Sequence, residues 1–251
     1  MQNISFNPYS VALPVTAIID QVKSQLLVNN TLLVQAPPGA GKSTLLPLAL
    51  LEEPWLEGKK IIMLEPRRLA TRSIAYRLAE LLGEQIGETV GYRIRFENRI
   101  SPKNKIEVVT EGILTRMLQS DNALADVGLV IFDEFHERSI HADLALALCM
   151  ESQQILRPDL RMLIMSATLN MDSLSQSLQA PVVTSEGKQY PVEVFYVGAH
   201  DERLLPETMA RIILDAIKKH EGDVLAFLPG EGEIRKTAHL LQSDLNHFAI
   251  H

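Results

Sequence analysis

The sequence predicts an α/β fold in which a parallel β-sheet is covered by helices on both faces. Apolar runs of strand length alternate along the chain with longer stretches of helical periodicity. The apolar runs are nearly continuous, which is typical of parallel strands buried on both faces. With 251 residues, 46% of them hydrophobic, the chain can form one large domain, or one domain and part of another.

The predicted elements of the first part of the chain follow from this pattern. Strands are predicted at residues 31–35, 60–65, 106–109, 128–133, 161–165 and 180–183. Helices are predicted at residues 44–51, 67–82, 111–119 and from about 134 to 156. In the second helix the apolar residues are expected near one face, and Gly83 ends it; these residues are Leu69, Ile74, Leu78, Leu81 and Leu82.

The pattern of predicted strands and helices changes near residues 179–187, where a second α/β unit is expected to begin. Its predicted elements are a crossing strand at 191–196, a helix at 204–219, a buried strand at 223–228 and a helix opening at 230. We therefore predict a first domain at residues 1–188 and the start of a second at 189–251. Some sixty residues are too few to complete a domain like the first, so the chain is expected to be a fragment.

Composition excludes several classes of protein. The lone Cys149 lies in an apolar helical run, so neither an internal disulfide nor a cysteine zinc site is expected. The N-terminus lacks the basic-then-apolar order of a signal peptide, and no apolar stretch approaches the ~20 residues that span a bilayer. A cytoplasmic location is expected.

Charge is unevenly distributed along the chain. The net charge is −7, yet residues 65–105 carry nine basic and five acidic side chains, so this window is +4 and the rest is −11. A local basic patch can bind nucleic acid in an acidic protein. A charge run is more often a solvated face, so charge alone leaves both interpretations open.

The segment 36–44, with the sequence APPGAGKST, has the pattern of a phosphate-binding loop. A predicted strand precedes it and a predicted helix follows it, and glycines there let backbone N–H groups converge on a phosphate at a helix N-terminus. Lys42 is expected to reach the β- and γ-phosphates, and Ser43 to bind Mg²⁺. Ala36 stands where the strict pattern has glycine. The alternative is a glycine-rich turn with a stray lysine.

Polar residues follow two further predicted strands. Asp133 is the last residue of the strand 128–133 and Glu134 follows it, at the sheet edge where ligands of such folds bind. Asp133 suits a magnesium carboxylate, and Glu134 can polarise a water towards a γ-phosphate. The alternative is an acidic turn that caps the next helix. Ser166 and Thr168 follow the strand 161–165 and can hydrogen-bond a neighbouring acidic loop, although alone they resemble an ordinary turn.

Together these segments resemble the motifs of superfamily 2 helicases. Segments 36–44, 65–70, 110–114, 133–136, 166–168 and 225–230 resemble motifs I, Ia, Ib, II, III and IV. The Pro-Arg-Arg of Ia, the Thr-Glu-Gly of Ib and the Asp-Glu-x-His-Glu-Arg run are similar to the DEAH-box group. Phe135 replaces the usual alanine, as in the bacterial HrpB-type group. The resemblance implies a RecA-like first domain and the beginning of a second.

The resemblance also implies roles for matching residues. Residues expected to bind the nucleotide are Pro38, Gly39, Ala40, Gly41, Lys42, Ser43 and Thr44, with Arg77 stacking on the base. Ser43 and Asp133 hold Mg²⁺, Glu134 activates water, and His136 links the site to Ser166 and Thr168, which couple hydrolysis to movement. Residues expected near single-stranded nucleic acid are Arg68, Thr110, Arg95 and Arg99.

The implied function is ATP-dependent movement on single-stranded nucleic acid. ATP or another NTP and Mg²⁺ are the expected cofactors, and RNA is the favoured strand. Motifs V and VI do not occur in these residues, so the chain is expected to need the rest of its polypeptide, to bind nucleotide, to hydrolyse it poorly and not to unwind. Two alternatives are a P-loop ATPase that remodels a protein partner and a non-catalytic module with a vestigial loop.

Overall fold

The computed structural model describes residues 6–167, 171–187, 191–197 and 204–242. The chain divides into two compact units, Met1–Gln189 and Tyr190–His251. The strands, all in the first unit, are β1 Thr31–Gln35, β2 Lys60–Leu64, β3 Val90–Ile94, β4 Glu97–Arg99, β5 Ile106–Val109, β6 Val127–Phe132, β7 Arg161–Ser166 and β8 Val182–Thr184. The helices of that unit are α1 Ile19–Val28, α2 Lys42–Ala49, α3 Arg68–Leu81, α4 Glu111–Ser120, α5 Ile140–Ile155 and α6 Met171–Leu178.

The eight strands form one sheet in the order β4-β3-β5-β2-β6-β7-β1-β8. Every neighbouring pair is parallel except β3 and β4, which form an antiparallel hairpin at one edge. The prediction of an α/β sheet is therefore confirmed, with one antiparallel edge strand added. Strand β3 was not predicted, because Gly91 and Arg93 interrupt its apolar run.

The two faces of the sheet pack on separate cores, as alternation along a strand requires. Ile61 and Met63 of β2 join the core formed with α1, α2 and α3. Ile62 and Leu64 of the same strand join the core formed with α4 and α5. Helices thus cover both faces, as predicted.

Local sequence accounts for where several helices begin and which face they bury. The Ser139 hydroxyl accepts a hydrogen bond from the Ala142 N–H and so caps α5. Helix α3 buries Leu78, with Ile74 and Leu81 packed beside the same core. Leu69 was expected on that face but is 79% exposed. It lies nine residues before Leu78, and at ~100° per residue this places it half a turn away.

The second unit contains two helices in its described residues, α7 Leu205–Lys219 and α8 Glu231–Gln242, both close to their predicted positions. They pack together through Ala210, Ile213 and Leu241. The strands predicted at 191–196 and 223–228 are wrong: both segments are irregular. An apolar run becomes a strand only when neighbours supply hydrogen bonds, and the described residues of this unit contain no strand to pair with. Among the described residues, no helix is long and apolar enough to cross a membrane.

Candidate nucleotide site and nucleic-acid edge

The phosphate-binding loop joins β1 to the N-terminus of α2. Gly39 and Gly41 have φ of +74° and +91°, a conformation that favours glycine and turns the chain into the helix. A Cβ on Gly41 would lie 2.8 Å from Leu13 Cδ1, and the Val15 N–H donates to the Ala40 carbonyl at 3.0 Å. The segment before α1 therefore supports the loop from behind. Pro38 and Gly39, in the middle of the loop, are exposed.

Lys42 is folded across the loop that precedes it. Lys42 is only 3% exposed. Its Nζ donates hydrogen bonds to the carbonyl oxygens of Ala36 at 2.7 Å and Pro37 at 3.2 Å. A buried ammonium group needs such partners. A bound phosphate would offer the same donor a charged acceptor, which forms a stronger hydrogen bond than a neutral carbonyl.

Asp133 follows β6 and is brought to the phosphate-binding loop. It is 1% exposed, accepts a hydrogen bond from the Glu134 N–H at 2.9 Å, and is hydrogen-bonded by Ser43. Burial raises the pKa of Asp133 to about 6, although the Ser43 bond opposes the shift. Its Oδ2 is buried without a hydrogen-bond partner among the described residues.

These oxygens suit a Mg²⁺ ion. Mg²⁺ prefers hard oxygen ligands and is usually held by one or two carboxylates together with waters and phosphates. The unfilled Asp133 Oδ2 and the neighbouring Ser43 hydroxyl match that donor set. In the part of the chain that the structure describes, no group of three His, Cys, Asp or Glu residues is arranged as a metal site, so phosphates and waters would complete the ligand set.

Glu134 has a strained backbone at the position expected to activate water. Its φ is +46° and ψ is 38°, a left-handed conformation that is uncommon outside glycine and recurs at functional sites. It precedes the short 3₁₀ helix Phe135–Glu137. Its Oε2 lies 3.2 Å from Nδ1 of His136, so the two predicted site residues are in contact.

His136 connects β6 to the end of β7. Its Nδ1 accepts a hydrogen bond from the Ala167 N–H at 3.4 Å. Ser166 is fully buried, and its carbonyl accepts from the Ala36 N–H at 3.1 Å, at the start of the phosphate-binding loop. Three strand ends are therefore joined at one edge. Thr168, expected to act with Ser166, lies outside the described residues.

Arg77 lies on α3, which packs beside α2. Its guanidinium group pairs with Glu80 at 2.7 Å and is about half exposed. Arg77 is thus on the helix next to the phosphate-binding helix, but its described partner is a neighbour on its own helix.

Three of the four residues expected near nucleic acid lie at the carboxyl ends of adjacent parallel strands. Arg95 follows β3, Thr110 follows β5, and Arg68 lies shortly after β2 at the start of α3. Arg99 is instead on β4, opposite Tyr92 and back from the hairpin tip. Arg68, Arg95 and Arg99 are exposed, whereas Thr110 is half-buried.

Two residues of this edge were missed by sequence reasoning as functional candidates. Phe96 occupies the hairpin tip, is 90% exposed and has φ of +70°, with the Arg95 guanidinium 4.7 Å from the centre of its ring. The signal was an aromatic residue between arginines. Glu65 directly follows β2 and is 2% exposed. The signal in the sequence was a carboxylate at the end of an apolar run, the same pattern that marks Asp133.

Glu65 shares the environment of Asp133. Burial raises the pKa of Glu65 to about 8, and the Asp133 carboxylate adds to the shift. The Arg67 N–H donates to Glu65 Oε1 at 3.3 Å, but Oε2 is buried without a hydrogen-bond partner among the described residues. Two carboxyl groups with unfilled oxygens therefore lie on neighbouring strands.

Comparison with known proteins gives consistent matches. The sequence matches the family model described as DEAD/DEAH box helicase over residues 16–177. It is 52% identical over 233 residues to the ATP-dependent RNA helicase HrpB of Escherichia coli (strain K12), covering 92% of this chain and 29% of that protein. It is 38% identical over 234 residues to the ATP-dependent RNA helicase HrpA of Borreliella burgdorferi, covering 92% of this chain and 28% of that protein.

Solved structures give the same result. Two crystal structures of E. coli HrpB, each 51% identical in sequence, match with TM-scores of 0.88 and 0.78. Both matches cover 93% of this chain but only 30% and 29% of the solved chains. The chain thus spans less than a third of the length of these relatives.

Proposed function

Because this chain belongs to the DEAD/DEAH box helicase family, as the order of its motifs predicted, we propose that it is the nucleotide-binding part of an ATP-dependent helicase. NTP hydrolysis in the whole protein drives movement on single-stranded nucleic acid, with RNA favoured because similar proteins are named RNA helicases. The observation that carries the proposal is the buried Asp133, hydrogen-bonded by Ser43 and left with one unfilled oxygen beside the phosphate-binding loop.

Phosphate binding uses groups that already converge on the loop. The backbone of residues 38–44 and the N-terminus of α2 supply N–H donors and partial positive charge. Lys42 exchanges its carbonyl partners for the β- and γ-phosphates. Ser43 and Asp133 would hold Mg²⁺, which would neutralise charge on the phosphates. Arg77 supports the base from α3 by stacking, which does not select among purines.

Hydrolysis is assigned to the loop after β6. Glu134 orients the attacking water, and its contact with His136 keeps the carboxylate at the sheet edge. His136 also contacts the backbone after Ser166, so a change at the γ-phosphate reaches the end of β7. We assign coupling to Ser166 and Thr168 on the basis of this connection.

Nucleic acid is assigned to the other half of the same edge. Arg95, Thr110 and Arg68 follow three adjacent strands, and Arg99 extends this surface along the hairpin. Contacts of this kind with phosphates position a strand without reading its sequence. The exposed ring of Phe96 offers a surface on which a base can stack.

We further propose that this chain binds nucleotide but hydrolyses it poorly and does not unwind a duplex. The resemblance places the arginines that reach the γ-phosphate in motif VI, which these residues do not include. Arginine fingers contribute about 10³–10⁵ in rate to phosphoryl transfer. Rapid RNA-stimulated turnover by these residues would contradict this part of the proposal.

Binding of a fluorescent ATP analogue in the presence of Mg²⁺ tests the proposal. The wild-type chain should bind, and Lys42→Ala should lose most of the affinity because phosphate loses its cationic donor. Lys103→Ala is a matched control, since Lys103 is an exposed lysine outside the loop. Equal binding by Lys42→Ala and the wild type, or no binding by either, would overturn the assignment.

A further inference from the structure

Glu65 and Asp133 occupy equivalent places at the ends of adjacent parallel strands. Leu64 of β2 pairs in register with Phe132 of β6, and the Asp133 N–H donates to the Leu64 carbonyl at 3.0 Å. Met63 and Ile131, two residues before each carboxylate, face the core that contains α2 and α3. Because side chains alternate along a strand, Glu65 and Asp133 project towards that same face.

Both carboxyl groups are buried and only half satisfied. Glu65 is 2% exposed and Asp133 is 1% exposed. One oxygen of each accepts a backbone N–H, whereas Glu65 Oε2 and Asp133 Oδ2 have no hydrogen-bond partner among the described residues. Buried carboxylate oxygens are costly to leave in this state.

Glu107 shows how this sheet satisfies a buried carboxylate that has only a structural role. It is 1% exposed, and its two oxygens pair with Lys60 Nζ at 2.9 Å and with Arg93 Nε at 2.8 Å. Among the described residues Glu65 forms no ion pair with a lysine or arginine, unlike Glu107. The nearby Arg67 instead pairs with Glu137 at 2.7 Å, and the negative charges of Asp133, Glu134 and Glu137 add to the effect of burial in raising the pKa of Glu65.

We propose that Glu65 is a positioning residue for the metal-binding carboxylate. A water molecule between Glu65 Oε2 and Asp133 Oδ2 hydrogen-bonds both groups and holds Asp133 in the orientation that binds Mg²⁺ with the nucleotide. Buried waters typically bridge polar groups that are otherwise unsatisfied, and carboxylates that bind metals are themselves held by hydrogen bonds. This inference rests on the proposed nucleotide site and adds a residue to it from the strand on the nucleic-acid side.

The role is one of hydrogen bonding rather than of direct ligation. A glutamine at this position keeps a polar group of the same length that can bond the water, whereas alanine and leucine cannot. The glutamine variant should therefore retain the function. Leucine has a volume similar to that of glutamate and removes the unsatisfied group, so Glu65→Leu should fold even if Glu65→Ala leaves a damaging cavity.

The test is the Mg²⁺ dependence of nucleotide binding, measured with a fluorescent ADP analogue. Glu65→Ala and Glu65→Leu should raise the Mg²⁺ concentration at half-maximal enhancement of binding about tenfold, the usual scale for loss of a group that supports a metal ligand. Binding in EDTA should remain within about twofold of wild type, because Lys42 and the loop backbone are unchanged. Glu65→Gln should titrate like wild type.

Glu137→Gln is the matched control, since it removes a nearby negative charge without touching Asp133. It should leave the Mg²⁺ titration unchanged. An equal shift in Glu137→Gln would assign the effect to long-range charge and overturn the inference. So would wild-type titration by Glu65→Leu, or a Glu65→Gln variant as impaired as Glu65→Leu. If the wild-type chain binds no nucleotide in either condition, the proposed function itself fails.

Discussion

Glu134 Oε2 and His136 Nδ1 lie 3.2 Å apart, while the same His136 nitrogen accepts a hydrogen bond from the Ala167 N–H. One imidazole nitrogen cannot donate to a carboxylate and accept from an amide at the same time. Only one of the two contacts can therefore be a hydrogen bond at a time. A water or γ-phosphate that draws Glu134 away would leave His136 bound to the end of β7, which gives the proposed coupling a physical basis.

We expect Glu134 substitutions to separate hydrolysis from binding and stability. Glu134→Gln and Glu134→Gly should both lower single-turnover ATP hydrolysis, by about 10²-fold or more for loss of a group that activates water. Nucleotide affinity should change little, because Glu134 does not belong to the phosphate-binding loop. Only Glu134→Gly should also stabilise the chain, by about 1 kcal/mol, since glycine relieves the left-handed backbone at φ +46°.

Gln179→Gly serves as the control for that stability effect. Gln179 also has a positive φ, of +50°, but lies after α6, outside the site. Urea denaturation should show stabilisation in both glycine variants and loss of hydrolysis in one. Stabilisation confined to Gln179→Gly would mean that Glu134 is not strained in the folded protein.

The pKa of Asp133 predicts how stability depends on pH. Burial raises this pKa from 3.8 to about 6, and the Glu134 charge adds to the shift, whereas the hydrogen bonds from Ser43 and the Glu134 N–H and the charge of Lys42 oppose it. For a carboxyl group with a raised pKa, the stabilising contribution is complete below the unfolded value and is lost as pH rises through the folded value. Without nucleotide and metal, Asp133 should therefore reduce stability progressively from about pH 4 to about pH 6.

Asp133→Asn tests this dependence, because asparagine stays neutral throughout. Urea denaturation should give nearly equal stability for variant and wild type near pH 4, and a variant more stable by about 3 kcal/mol above pH 7. Asp126→Asn, at an exposed aspartate, is the control. A difference between Asp133→Asn and wild type that does not vary with pH would argue against the raised pKa.

Gly187 lies against the phosphate-binding loop although it belongs to none of the sequence motifs. A Cβ at this position would lie 2.0 Å from Pro37 Cγ. Gly187→Ala should displace Pro37, lower stability by about 1–3 kcal/mol and weaken nucleotide binding about tenfold, equivalent to about 1.4 kcal/mol.

Gly112→Ala provides the comparison, since a Cβ there meets nothing within 4 Å inside α4. It should stabilise the chain by about 1 kcal/mol through helix propensity and leave the affinity unchanged. Fluorescence titration measures the nucleotide affinity, and thermal melts measure the stability. Unaltered nucleotide binding by Gly187→Ala would show that the loop tolerates the displacement.

Salt dependence distinguishes the two kinds of nucleic-acid contact proposed for the edge. Arg68→Ala should weaken binding of single-stranded RNA and reduce the slope of log affinity against log salt by about one, as expected for one lost phosphate contact. Phe96→Ala should weaken binding by about 1–3 kcal/mol with the slope unchanged, because stacking releases no counterions.

Arg211→Ala is the control for these measurements, as Arg211 is an exposed arginine on α7. Filter binding at several salt concentrations gives the slopes. Binding that does not depend on salt would favour the alternative in which this ATPase acts on a protein partner.

Local patterns were enough to predict much of the first unit. The continuous apolar runs became parallel strands, and the 36–44 segment lies between β1 and α2 as its pattern required. The apolar pattern missed strand β3, because Gly91 and Arg93 interrupt its apolar run. The same pattern wrongly predicted strands at 191–196 and 223–228, which are apolar but irregular. Strand formation depends on partners, and a run of residues does not specify them.

The sequence alone determined the chemistry of the site: a glycine-rich loop with Lys42 and Ser43, and a carboxylate pair at Asp133 and Glu134. Tertiary structure decided which groups share a buried environment. The pairing of β2 with β6 places Glu65 beside Asp133 and leaves one oxygen on each unsatisfied. The spacing of 68 residues between them carries no such information, because proximity across a sheet is set by strand order and register, and burial then changes what each carboxyl group can do.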